Sequence, residues 1–125
     1  MITRRLVMLS AAVEAATGLA LIAVPSLVAR LLLGAGLSDS GIAVARLTGI
    51  ALLCLALACW PGGDDATQRV IRALLTYNLL AALYLGYLRV GGGFVSYLLW
   101  PACVVHSVLG VLLVPSARAR AQEQE

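Results

Sequence analysis

Four long apolar runs dominate this chain, and polar residues separate the runs instead of alternating with them. A helical run of about 20 residues, rising 1.5 Å per residue, crosses a hydrocarbon core of ~30 Å. Each run therefore predicts a transmembrane helix, at about 6–24, 42–60, 69–88 and 94–114. Pro25 is expected to break or kink the chain after the first span, because proline has no N–H for a helix interior. Segment 26–33 then reads as a short amphipathic helix in the membrane interface, with Arg30 reaching the headgroups and Gly34-Ala35-Gly36 ending it. Pro61-Gly62-Gly63-Asp64-Asp65 predicts a turn, and Gly91-Gly92-Gly93 closes the third span. Pro101 is expected to interrupt the fourth span and Pro115 to end it, leaving 115–125 as a short polar tail. The predicted fold is an all-α membrane protein. Four transmembrane helices form an up-down bundle, with a short interfacial helix after the first span, in one domain over residues 1–125.

Composition agrees with the pattern. Of 125 residues, 62% are hydrophobic and 12% charged, more apolar surface than a soluble domain of this size can hide. The net charge of +3 does not point to nucleic acid: the chain has no lysine, and its arginines stand at span ends, in loops and in tails. Arg4, Arg5, Arg69, Arg72, Arg118 and Arg120 fall on one side of the predicted bundle, and Arg30, Arg46 and Arg89 on the other. The positive-inside rule then places both termini in the cytoplasm of a bacterium, with the protein in its inner membrane. Trp60 marks the inner interface, and Tyr87 and Tyr97 the outer one. The charged start imitates a signal peptide, but Glu14 inside the run and the lack of a small-x-small cleavage site predict a retained helix.

Glu14 is the only acidic residue within the four runs. Counting from span ends at 1.5 Å per residue, Glu14, Asn78 and His106 all lie roughly 12–14 Å above the inner boundary. Three helices thus offer an acid, an amide and an imidazole at one depth. Each span also carries a glycine on the face of its polar residue: Gly18 with Glu14, Gly49 with Arg46, Gly86 with Asn78, and Gly110 with His106. Small residues let membrane helices approach closely, so these faces should turn inward. A buried Glu14–Asn78–His106 cluster is expected, joined by Tyr77 or Thr17. Its two readings are a hydrogen-bonded clamp and a proton relay, since histidine titrates near neutrality beside a carboxyl.

Other polar residues carry weaker signals. Arg46 reads as an interface anchor paired with Asp39, or as an anion or headgroup site shared with Arg30 and Arg89. Tyr77, Tyr84 and Tyr87 share one helical face, as a packing stripe does. Cys54, Cys59 and Cys103 lie within spans without metal-ligand spacing and read as small hydrophobes. With one histidine and no Cys-x-x-Cys-His motif, no metal or haem site is expected, and no cofactor.

Glu14-x-x-x-Gly18, Pro25, Leu33-Gly34 and Ala45-Arg46-Leu47-Thr48-Gly49-Ile50-Ala51 resemble the uncharacterised small four-span inner-membrane proteins of bacteria, broadly DoxX-like. That resemblance implies a four-helix membrane fold and little about activity. Ala11-Ala12-Val13-Glu14-Ala15 is similar to the first-span element of small multidrug-resistance transporters, which use an embedded glutamate. That family's aromatic cage and glycine-valine-glycine third span have no counterpart here, so only Glu14 carries over.

The expected function is an accessory or structural subunit of the membrane with a buried polar layer. It is not an enzyme, because the short loops offer no room for a soluble active site. The alternative is a small proton-coupled transporter or channel using Glu14 and His106. The expected partners are the lipid bilayer and, through self-association or a larger membrane complex, other membrane helices; nucleic acid is not among them.

Overall fold

A computed structural model describes residues 2–60, 68–92, 94 and 96–122. Among them the chain forms five helices: α1 (Ile2–Ala23), α2 (Pro25–Leu33), α3 (Asp39–Cys59), α4 (Gln68–Val90) and α5 (Leu99–Gln122). Four of these, α1, α3, α4 and α5, are long and apolar enough to cross a membrane. The architecture is the expected all-α bundle with a short helix after the first span. The turn expected at 61–65, together with Gly93, lies outside the described residues.

The breaks follow local chemistry. Val24 leaves helical geometry at φ −135° and ψ 56°, and Pro25 opens α2 at a position where its missing N–H has no partner to lose. Gly34 ends α2 in the left-handed region at φ 74°, donating its N–H to the Arg30 carbonyl. Ser38 caps α3 by accepting from the Gly41 N–H at 3.2 Å. Past α4, the N–H groups of Gly91 and Gly92 return to the Tyr87 carbonyl and that of Phe94 to Leu88, which closes the helix end.

The fourth span departs from expectation at both prolines. It begins at Leu99, not at 94, so Pro101 falls in the first turn and interrupts nothing. Pro115 does not end the helix, which continues to Gln122. Tertiary contacts outweigh the proline penalty there. The Ser116 hydroxyl meets that of Thr3 at 3.0 Å, Gln68 Nε2 donates to the Ala117 carbonyl at 2.9 Å, and Ala117 packs on the core. The residues expected as a polar tail are therefore helical as far as 122.

The helices associate as two antiparallel pairs, α1 on α3 and α4 on α5, with sparser packing between the pairs. In the first pair, Gly18 and Gly49 bring backbone against backbone. A Cβ on Gly18 would stand 2.7 Å from the Gly49 carbonyl oxygen, and one on Gly49 would stand 2.6 Å from that of Gly18. In the second, Gly110 admits Leu79, whose Cδ2 would lie 3.0 Å from an added Cβ. The pairs meet in an apolar cluster of Val7, Cys59, Ile71, Leu74 and Leu113 near the end that carries the termini. At the opposite end α2 packs on α1, α3 and α5. There the Ser96 hydroxyl and the Leu98 N–H both donate to the Leu31 carbonyl, satisfying the last turn of α2.

Candidate functional site

The buried face of α1 runs Val7, Ser10, Ala11, Glu14, Gly18, a spacing of three and four that keeps all five on one side. Its two polar members point at α4 and α5. Asn78 on α4 is fully buried, and its Nδ2 donates to Ser10 Oγ at 2.8 Å and to the Leu74 carbonyl at 2.8 Å. His106 Nδ1 on α5 lies 2.9 Å from Asn78 Oδ1. The Glu14 carboxyl is fully buried, with Oε1 3.9 Å from His106 Nδ1, beyond hydrogen-bond reach. Tyr77 packs its ring against His106 edge-on, with centroids 5.7 Å apart and planes at 77°. Its phenol interacts with the Glu14 carboxyl from outside hydrogen-bond geometry.

The hydrogen bonds determine proton positions. The Leu74 carbonyl only accepts, so the Asn78 amide nitrogen must face it and Oδ1 must face the imidazole. A carbonyl oxygen facing Nδ1 in turn requires a proton on Nδ1, so His106 donates to Asn78. Nε2 is then the basic nitrogen of the neutral ring. The chain Leu74–Asn78–Ser10 and Asn78–His106 is complete without Glu14, and both carboxyl oxygens of Glu14 lack a hydrogen-bond partner.

The structure thus brings Glu14, Asn78 and His106 into one layer and adds Ser10, which the sequence reading missed. Its signal was present: Ser10 is four residues before Glu14 and shares its helical face. Tyr77 joins the layer, whereas Thr17 does not, because its hydroxyl bonds back to the Val13 carbonyl of its own helix. The tyrosine stripe divides as well, Tyr77 turning to His106 while Tyr84 and Tyr87 are exposed.

The arginines do not converge on a site. Arg30 and Arg46 are exposed, Arg89 is half-buried, and no ion pair to any of them forms among the described residues. Arg46 was expected on the inward face with Gly49. Gly49 is buried and Arg46 is not, since three residues of helix separate them by about 60° of rotation, enough for the longer side chain to leave the interface. Asp39 does not pair with Arg46, two helical turns and roughly 10 Å away. Cys54 is exposed, Cys59 buried and Cys103 half-buried, all free thiols. Among the described residues no three of His, Cys, Asp and Glu stand together as metal ligands.

No family model matches this chain, and neither the curated proteins nor the solved structures include one that is significantly similar to it.

Proposed function

We propose that this is a small multi-pass membrane protein whose polar layer binds and passes a proton, with Glu14 and His106 as the groups that carry it. One observation carries the reading. A fastening needs its polar atoms paired, and Ser10, Asn78 and His106 supply a paired fastening while Glu14, at 0% exposure, has neither oxygen bonded. A carboxyl kept at mid-bundle beside an imidazole, yet outside the fastening, suits a group that gains and loses a proton.

Charge arithmetic describes how the couple works. With one dissociable proton between them, Glu14 and His106 are either both neutral or a carboxylate facing an imidazolium, and the layer's net charge is zero in both cases. Removing that proton leaves −1, and adding a second leaves +1, in the part of the membrane that least tolerates charge. The low-cost event is therefore movement of one proton between the two groups. Asn78 holds Nδ1–H, the nitrogen 3.9 Å from the carboxyl, so a proton leaving Glu14 reaches the free Nε2 through a carrier such as water and not by direct transfer.

A second reading, an accessory or structural subunit, draws on the same residues. Asn78 ties α1, α4 and α5 through one side chain, which is what a scaffold's clamp requires. In either reading the protein is non-enzymatic, sits in a bacterial inner membrane, and has its termini in the cytoplasm, supported by the six-to-three arginine asymmetry. Proteoliposomes with a trapped pH dye and an imposed potential separate the two. Glu14→Gln should abolish proton flux while the protein keeps its fold and thermal midpoint. Unchanged flux in that variant, or no flux above protein-free vesicles in the parent, leaves the structural reading alone.

A further inference from the structure

Tyr77 meets both members of the couple. Its ring stands edge-on against the His106 imidazole, with centroids 5.7 Å apart, and its phenol faces the Glu14 carboxyl from outside hydrogen-bond geometry. Tyr77 and Asn78 are neighbours in sequence, so α4 delivers a hydroxyl and an amide to the layer from one turn.

A buried carboxyl that ionises needs donors, because a charge without them bears the full cost of leaving water. Glu14 is fully buried and neither oxygen has a partner. The donors around it are mostly spent. Asn78 gives its two amide hydrogens to Ser10 and to the Leu74 carbonyl, and His106 gives Nδ1–H to Asn78. The Cys59 thiol, which feels the Glu14 charge from α3, is a weak donor. Two hydroxyls remain. That of Ser10 already accepts from Asn78, whereas that of Tyr77 takes part in no hydrogen bond among the described residues.

We propose that Tyr77 is the positioning residue of the couple: its phenol closes on the Glu14 carboxyl as that group gives up its proton, and donates the hydrogen bond that the carboxylate lacks. The phenol keeps its own proton throughout. On α4 the work is then divided, Asn78 holding the imidazole through Nδ1–H and Tyr77 stabilising the charged acid. The proposal rests on the proton reading for why Glu14 ionises, but donation by the phenol to a charged carboxyl stands without it.

Infrared spectra of the protein in lipid, recorded against pH, test this role. The Glu14 carboxyl stretch is assigned as the band lost in Glu14→Gln. Three titratable groups face that carboxyl: Cys59 from α3, Tyr77 from α4 and His106 from α5. Tyr77→Phe keeps the ring on His106 and removes only the hydroxyl. The pH at which the Glu14 band disappears should rise by about one unit or more, since the carboxylate loses a charge-assisted hydrogen bond. A second chain has Tyr84, Tyr87 and Tyr97 replaced by phenylalanine and carries 3-fluorotyrosine in place of Tyr77. Its phenol is a stronger donor and should lower the same midpoint. Opposite shifts from removing and strengthening one donor do not arise from a loosened fold. An unmoved midpoint in either chain, or an equal rise in Ser10→Ala, overturns the role of Tyr77. Proton flux in the parent with an unmoved midpoint sinks the Tyr77 role alone, and shifted midpoints without flux sink the proton reading alone.

Discussion

The Gly18–Gly49 crossing and the polar layer lie about one helical turn apart on α1, yet they hold their neighbours by different means. At the crossing, two backbones touch because neither helix has a side chain there. At the layer, α1 meets the other helix pair through one hydrogen bond, from Asn78 Nδ2 to Ser10 Oγ, while Asn78 and His106 are bonded to each other inside the α4–α5 pair. In lipid the hydrophobic effect does not drive helices together, so shape and hydrogen bonding carry association. Within the first pair shape does most of the work; between the pairs, the Ser10–Asn78 bond adds to the apolar cluster. A contact made of backbone tolerates no change, whereas a contact made of side chains can be rebuilt or moved. A proton site belongs at the second kind of contact.

The comparison can be broken most forcefully at the crossing. Gly49→Ala puts a methyl 2.6 Å from a carbonyl oxygen that cannot yield, and should cost about 2–3 kcal/mol of stability, read as a lowered midpoint in detergent denaturation. Gly86→Ala, with its nearest neighbour at 3.8 Å, should instead hold or gain up to about 1 kcal/mol from helix propensity. Equal losses in both would remove the distinction between a face held backbone to backbone and one with room for a methyl. Asn78→Leu leaves Ser10 and His106 without their partner and should lower the midpoint by about 1–2 kcal/mol. Ser96→Ala removes one donor to the end of α2, and a loss of about 1 kcal/mol should appear as faster amide exchange in 25–33. The smallest stability effect is expected for Glu14→Gln, within about 0.5 kcal/mol, because no hydrogen bond is lost. A large loss there would make Glu14 part of the fastening.

Much of the architecture was legible in the chain. Run length alone gives four spans, and Pro25 marks the break after the first because its chemistry acts on its own neighbours. Depth counting was enough to set Glu14, Asn78 and His106 at one level, since helical rise is nearly invariant. Pro115 shows where local reasoning stops. Its penalty is real, but Thr3 and Gln68, 112 and 47 residues away in sequence, bond to Ser116 and Ala117 and hold the helix beyond it. Arg46 and Thr17 teach the same lesson on a smaller scale. A shared helical face limits where a side chain can go, but a long chain leaves the interface and a hydroxyl returns to its own backbone.

Composition and periodicity by themselves determined that this chain carries four helices long and apolar enough to cross a membrane, that it breaks at Pro25, and that one acid lies near the middle of the first. Those properties depend on each segment's own length and apolarity. Only the tertiary structure decided which polar groups pair. Asn78 can choose among several partners, and its choice of Leu74, Ser10 and His106 rests on three helices meeting at set distances. That choice leaves the Glu14 carboxyl next to the imidazole but outside the bonded chain, a relation that arises from packing and is written in no single helix.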